Sequence, residues 1–352
     1  MNCIKFLLPA AVTAALFTGC EKSENPPENT GYSNGIYVVN EGTYTQNNGS
    51  ISFVDIEQNT ITNGIFEAAN NRSLGDVVQS LSVVNDSIGY IVVNNSAKVE
   101  IVQLKSFRTK SDPIQVNYPR YFLQVSSDQG YLTAGSFQGY VYTIDLNTAT
   151  KTDSIAVGFG PETMLLINDR VYVANSGGWA SDSTLSVIDI DLDEEIDKIQ
   201  VGIGPVDLTT DSEENIWVYC KGYTNYNDIE TDALLQKVDP VTKSILWEAK
   251  VGKALDYSST PAKCASSGDG STIYYLRPDG IYEINAVNPQ LSLDPLIAGN
   301  FYGLDADPHD GKIYLFETSF SGNGLLKIYD ADGNLLSEGM VGVGPSGAVF
   351  NY

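Results

Sequence analysis

The chain of 352 residues contains one histidine, His309, in the turn PHDG. A single imidazole cannot make a histidine-rich metal site, and it leaves little with which to build a Ser-His-Asp triad. Of four cysteines, Cys3 and Cys20 fall in the first twenty residues, which leaves Cys220 and Cys264. Each sits in an apolar run without a histidine partner. Both are expected as buried core thiols, with pairing outside the cytoplasm as the alternative. No glycine-rich phosphate loop follows a strand and opens a helix. Carboxylates such as Glu41, Glu162, Asp207 and Asp256 could form an acid/base pair. With 44 acidic residues in the chain, some will stand near any site by composition alone. The stretch DIDLDEEID (189–197) superficially resembles a calcium loop but lacks the glycine of its sharp turn. No catalytic residue, metal or cofactor is therefore expected.

Aromatic residues and neutral amides recur in the loops instead. Tyr44, Tyr118, Phe137, Phe159, Trp179, Tyr223, Tyr226, Tyr257, Phe301, Tyr302 and Phe320 are the aromatics, and Arg72 accompanies them. The amides are Asn47, Asn48, Asn94, Asn95, Asn175, Asn225 and Asn227. Aromatic planes interleaved with amides suit a large, amphipathic, hydrogen-bonding ligand rather than a phosphate or a metal. Some of these rings would instead fold back and seal the tops of the elements that carry them. The candidate ligand contacts are Tyr44, Arg72, Asn95, Phe137, Phe159, Trp179, Tyr223, Tyr226, Tyr257, Phe301, Tyr302 and Phe320.

The elements that must position these residues are strands. Helical periodicity is nearly absent, and short Val-, Ile- and Tyr-rich runs alternate with Gly, Asn and Asp clusters. One strand recurs as IYVVN, GYIVVN, GYLTAG, RVYVAN, NIWVYC, TIYYLR and KIYLFE. A second recurs as SISFVD, KVEIVQ, YVYTID, TLSVID, LLQKVD, GIYEIN and LLKIYD. Seven in-phase copies at a period of roughly 40–50 residues indicate propeller blades. The closing Asp55, Gln103, Asp145, Asp189, Asp239, Asn285 and Asp330 read as the first residue of a β-turn. Joints such as GFGPE and GIGPV place proline at the start of the next inner strand, where its missing N–H costs least.

The first unit lacks an inner strand, whereas the last carries a surplus one after GVGP. Residues 345–350 would then complete the first blade and close the ring. The expected fold is all-β: a seven-bladed β-propeller of four-stranded blades over residues 35–352. In that topology the joints share a face with the loops between second and third strands. The aromatics and amides named above fall on this face, and short polar turns such as NDS and ADGN fall on the other. The loop KGYTNYNDIETDA, with Tyr223 and Tyr226, is the longest of the intra-blade loops.

Residues 1–19 read as a lipoprotein signal peptide: Lys5, an apolar stretch too short to span a bilayer, then small residues before Cys20. Residues 20–34 read as a polar, Pro- and Glu-containing flexible tether, with Cys20 the site of lipidation. Cleavage elsewhere, as in a plain signal peptide, is the alternative. A net charge of −24 argues against nucleic-acid binding and fits a dispersed surface protein.

The repeated IYVAN…VID…VGxGP units resemble the YncE-like and surface-layer-type seven-bladed propellers over essentially residues 35–352. Together with the lipobox at Cys20, the acidic residues Glu21 and Glu24 and the Asn/Tyr-rich loop face, the chain resembles the BtuG-type surface lipoproteins of Bacteroidetes. That resemblance implies capture of cobalamin or a related corrinoid at the cell surface. It also implies transfer to a TonB-dependent outer-membrane transporter of the BtuB type, with membrane attachment through the lipid alone. A scaffold or adhesin binding glycan or protein through the same face is the alternative, and a propeller lyase a further one.

Overall fold

The computed structural model describes residues 31–224, 230–255 and 261–352, and these form seven antiparallel sheets arranged as the blades of a β-propeller. Blades three to seven each run through four strands in chain order from the inner strand outward. The first is completed by the last strand, Pro345–Asn351, which pairs antiparallel with Gly35–Asn40 so that Ile36 faces Phe350 and Val39 faces Gly347. The ring is thus closed by the C-terminal strand, as the offset ends of the repeat predict, and the first blade gains its inner strand.

Each strand's composition follows from its place in a blade. The second strands pack against a neighbouring blade on both sides, so they are continuous apolar runs: every residue of GIYVVN, IGYIVV and IWVYC is buried. Outer strands face solvent on one side and alternate, as in EEIDKIQ and LLSEGMVGV. The core is divided in the same way, with one buried cluster in each seam between adjacent blades. Ile36, Val38, Tyr314 and Phe316 fill the seam that joins the last blade to the first. Cys220 lies in the seam between the fourth and fifth blades and Cys264 in the next, and both are buried free thiols.

The recurrent acidic residue after the third strand is a turn former. Asp55 accepts the N–H groups of Glu57 and Gln58, at 3.0 and 2.8 Å. Asp145, Asp189, Asp239, Asn285 and Asp330 repeat the pattern. In DIDLDEEID, Asp189 is engaged in this turn and in an ion pair with Arg170 at 2.9 Å.

The blades depart from the regular unit in two places. The outer strand of the first is only Thr60–Thr62, followed by a helix, Ile65–Asn70, that buries Ile65 and Phe66. In the second, Arg108–Thr109 and Ile114–Gln115 both pair with Lys98–Gln103 and together replace one outer strand.

Candidate functional site

The site is built on the joints. The residue before the inner strand takes a left-handed backbone in Gly160, Gly204 and Gly344, with φ of 55°, 70° and 65°. Its carbonyl accepts the N–H of the residue after the second strand: Ser176 onto Gly160, Lys221 onto Gly204 and Glu41 onto Gly344, at 2.8–2.9 Å. A second bond beside it joins Gly177 to Phe159, Gly222 to Ile203 and Gly42 to Val343. This paired clip holds each joint to the following intra-blade loop, which puts both on one face of the ring.

Below the clip, side chains on several inner strands tie one blade to the next. The Ser80 and Ser82 hydroxyls donate to the Arg120 and Phe122 carbonyls, and Thr163 donates to the Val206 carbonyl. Asp207 accepts the Cys264 N–H at 3.0 Å, and Asp305 accepts the Ala348 N–H at 2.7 Å. Arg120 reaches Glu162 at 2.7 Å and Gln79 at 2.6 Å. Tyr121 and Lys263 occupy the second position after their joint prolines, where Thr163 and Asp207 make these ties. They extend into the axial space instead, with the Lys263 Nζ 5.8 Å from the Tyr121 ring centroid.

The result is an open funnel of about 670 Å³ on the joint face. Trp179, Tyr223 and Tyr302 line it, and Glu41, Arg120, Glu162, Lys221, Lys263 and Asp305 charge it. Burial pushes the Glu41 carboxyl up against the Tyr302 hydroxyl that donates to it at 3.1 Å. Burial raises Asp207 as well, opposed by Lys263 and the Cys264 N–H, and raises Asp305 to about 7. Burial alone would lower both Arg120 and Lys263. Glu162 raises the guanidinium again, and Asp207, Asp305 and Glu41 raise the ammonium. The Lys221 ammonium is lowered by burial against the attraction of Glu162.

The candidates named from sequence take different places in the structure. Trp179, Tyr223 and Tyr302 line the funnel. Tyr44, Phe137, Phe159 and Trp179 expose large rings on the same face, Tyr44 at 68% and Trp179 at 66%. Asn95 is exposed there too, its amide donating to Asp76 at 2.5 Å. Phe320 meets Tyr302 edge-on at 5.0 Å and braces it. Tyr226 and Tyr257 lie outside the described residues, as does Cys20.

Two candidates do other work. Phe301 is 2% exposed and packs with Ile297, Leu304 and Leu315 in the seam between the sixth and seventh blades. It is a core residue, because the chain turns its neighbour Tyr302, and not Phe301, toward the axis. Arg72 makes a two-pronged ion pair with the buried Glu100, both bonds 2.8 Å, and stacks on Phe66. It neutralises a carboxylate away from the funnel.

The charged residues of the throat, Arg120, Lys221 and Lys263, were not singled out from sequence. A signal for two of them was present: Arg120 directly follows its joint proline and Lys263 is the second residue after Pro261. Glu162 and Asp207, recognised as carboxylates near the funnel, occupy the same two positions in other blades.

The family described as "Domain of unknown function (DUF5074)" matches residues 34–351. Curated protein sequences give no match. Among solved structures, a quinoprotein alcohol dehydrogenase-like protein of Bacteroides thetaiotaomicron superposes with a TM-score of 0.68 at 16% identity, over 92% of this chain and 79% of that one. The periplasmic gluconolactonase of Pseudomonas aeruginosa gives 0.62 at 12%, over 90% and 99%. The hydrazine synthase of Kuenenia stuttgartiensis gives 0.61 at 15%, over 78% and 92%. At these identities the likeness is one of fold. With the match spanning nearly all of the described propeller, the chain belongs to the DUF5074 family.

Proposed function

We propose that this propeller is a surface-anchored capture protein that binds a large, amphipathic, amide-rich ligand in its funnel and performs no chemistry on it. The observation that carries this reading is the join of rim and throat. Rings of Trp179, Tyr223 and Tyr302 border an open funnel whose floor presents hydrogen-bonding side chains. Broad aromatic planes above polar groups suit a ligand that is only partly inserted.

A corrinoid fits that description, being a broad macrocycle rimmed with amide arms. The BtuG-type resemblance of the repeats, the lipobox and the tether point to the same ligand. In this role the lipid on Cys20 holds the protein at the outer membrane, and a TonB-dependent transporter of the BtuB type receives the cargo. Isothermal titration with cyanocobalamin tests the assignment. Saturable binding that Trp179→Ala weakens at least tenfold is expected. Absence of binding at micromolar protein would remove the corrinoid.

An enzymatic reading finds one point of support, the raised carboxyls of Glu41 and Asp305 in a cleft. The hydrogen bonds weigh against it. Asp207 and Asp305 each hold the backbone of the next blade, and Glu162 is matched by Arg120. Each has a structural task that explains its presence.

A further inference from the structure

Two side chains of the throat, Tyr121 and Lys263, donate no hydrogen bond among the described residues. Arg120 can only donate, so the 2.6 Å bond from its Nη1 fixes the Gln79 side-chain oxygen on the Arg120 side. The Gln79 amide nitrogen then faces Tyr121 and donates to its hydroxyl at 3.3 Å. Tyr121 therefore accepts from Gln79 and keeps its own O–H to donate. On the other side of the throat the Lys263 ammonium, with three N–H groups, makes no direct ion pair among the described residues, is attracted by Asp207, Asp305 and Glu41, and stands 5.8 Å from the Tyr121 ring centroid. The nearby carboxyls each hold a donor of their own, Glu41 from Tyr302, Asp207 from Cys264 and Asp305 from Ala348, and none takes one from Lys263 among the described residues.

We propose that Lys263 and Tyr121 form a subsite for an acyl oxygen of the ligand, the carbonyl of a primary amide or one oxygen of a carboxylate. Two donors of different blades converge on one space, as a single acceptor arm inserted along the axis requires. A phosphate is disfavoured over a carboxylate, because its second negative charge and further oxygens would stand among Glu41, Asp207 and Asp305. A cation is disfavoured because Lys263 already holds that place. The inference rests on the funnel being the ligand site, and not on the ligand being a corrinoid.

Two small probes separate the sources of that oxygen: glutaramide carries the amide and glutarate the carboxylate. Each is titrated into the full chain and followed by 1H–15N NMR. The Cys264 amide, held by Asp207 beside Lys263, is the reporter. At least one probe is expected to move the Cys264 signal and those of its neighbours saturably. Tyr121→Phe is expected to weaken the response about tenfold or more, and Lys263→Met to abolish it. The phenylalanine variant keeps the ring and the fold, so it stays informative if Lys263→Met does not fold. If neither probe shifts these signals, or if Tyr121→Phe responds as the parent does, the subsite is wrong. A failed cyanocobalamin titration beside a positive probe titration would reject the corrinoid and keep the subsite.

Discussion

Tyr118 and Gly160 hold the same left-handed position in successive joints, with φ of 52° and 55°, each immediately before a proline. Their carbonyls accept the corresponding N–H groups, from Gly135 at 3.1 Å and Ser176 at 2.9 Å. Val77, with φ of 55° and its carbonyl bound by Asn94, repeats the geometry in the second blade. The clip therefore demands a conformation that glycine adopts freely and that a β-branched or bulky residue adopts only under strain. Two neighbouring joints carry a large side chain at the funnel mouth against that preference.

Replacing Tyr118 by glycine should accordingly not destabilise the fold. A left-handed residue other than glycine costs about 1–2 kcal/mol, and glycine returns about 0.5–1 kcal/mol of that through its freer unfolded chain. The Tyr118 ring is 56% exposed, so little packing is lost. The urea midpoint is expected to hold or rise slightly. Gly160→Ala should fall by about 1–3 kcal/mol, since its Cβ would come within 2.2 Å of the Gly178 nitrogen. A fall in Tyr118→Gly as large as in Gly160→Ala would show that the joint needs the ring for stability.

Phe301 and Trp179 give opposite expectations although both are aromatics of the joint face. Phe301→Ala should cost about 3–5 kcal/mol, because it empties a filled seam. Trp179→Ala should change the unfolding free energy by well under that, its side chain being mostly in solvent. Chemical denaturation of the two variants in parallel checks the distinction. Equal losses would mean that Trp179 seals its blade top and does not serve the rim.

The propeller was legible because its seams impose a repeating composition. Strands buried on both sides must be continuous apolar runs, and the Asp or Asn that closes most third strands caps a turn. Pro345 to Phe350 could be assigned to the first blade because a ring admits no spare strand. The site was less legible, since a loop aromatic carries no mark of the direction its ring takes. Phe301 and Tyr302 are adjacent, yet one fills the seam and the other borders the funnel. Arg72 was drawn to Glu100, which lies 28 positions away in sequence. Lys263 and Arg120 went unremarked because their importance comes from convergence across the axis, which no single repeat displays.

Lipid attachment at Cys20 has its own expectation. Cells expressing the full chain and fed a labelled fatty acid should yield labelled protein, and Cys20→Ser should not be labelled. The serine variant is expected to leave the membrane fraction, because no other feature of the sequence is read as an anchor. Retention of the label in Cys20→Ser would move the processing site elsewhere.

The latch between the last and first blades should carry a pH dependence. Burial raises the Asp305 carboxyl from an ordinary 3.8 to about 7, against the pull of Lys263 and the Ala348 N–H. A carboxyl raised on folding binds its proton more tightly in the native state than in the unfolded chain. Its contribution is therefore favourable at low pH, declines between about pH 4 and 7, and is flat above. Asp305→Asn keeps an oxygen that can accept the Ala348 N–H and carries no charge to bury. The variant should lose this descending component and gain stability over the parent near pH 8, as read from denaturant unfolding at a series of pH values. If parent and variant keep the same slope through that window, Asp305 does not titrate there, and the charge of the throat is balanced more closely by Lys263 than its burial implies.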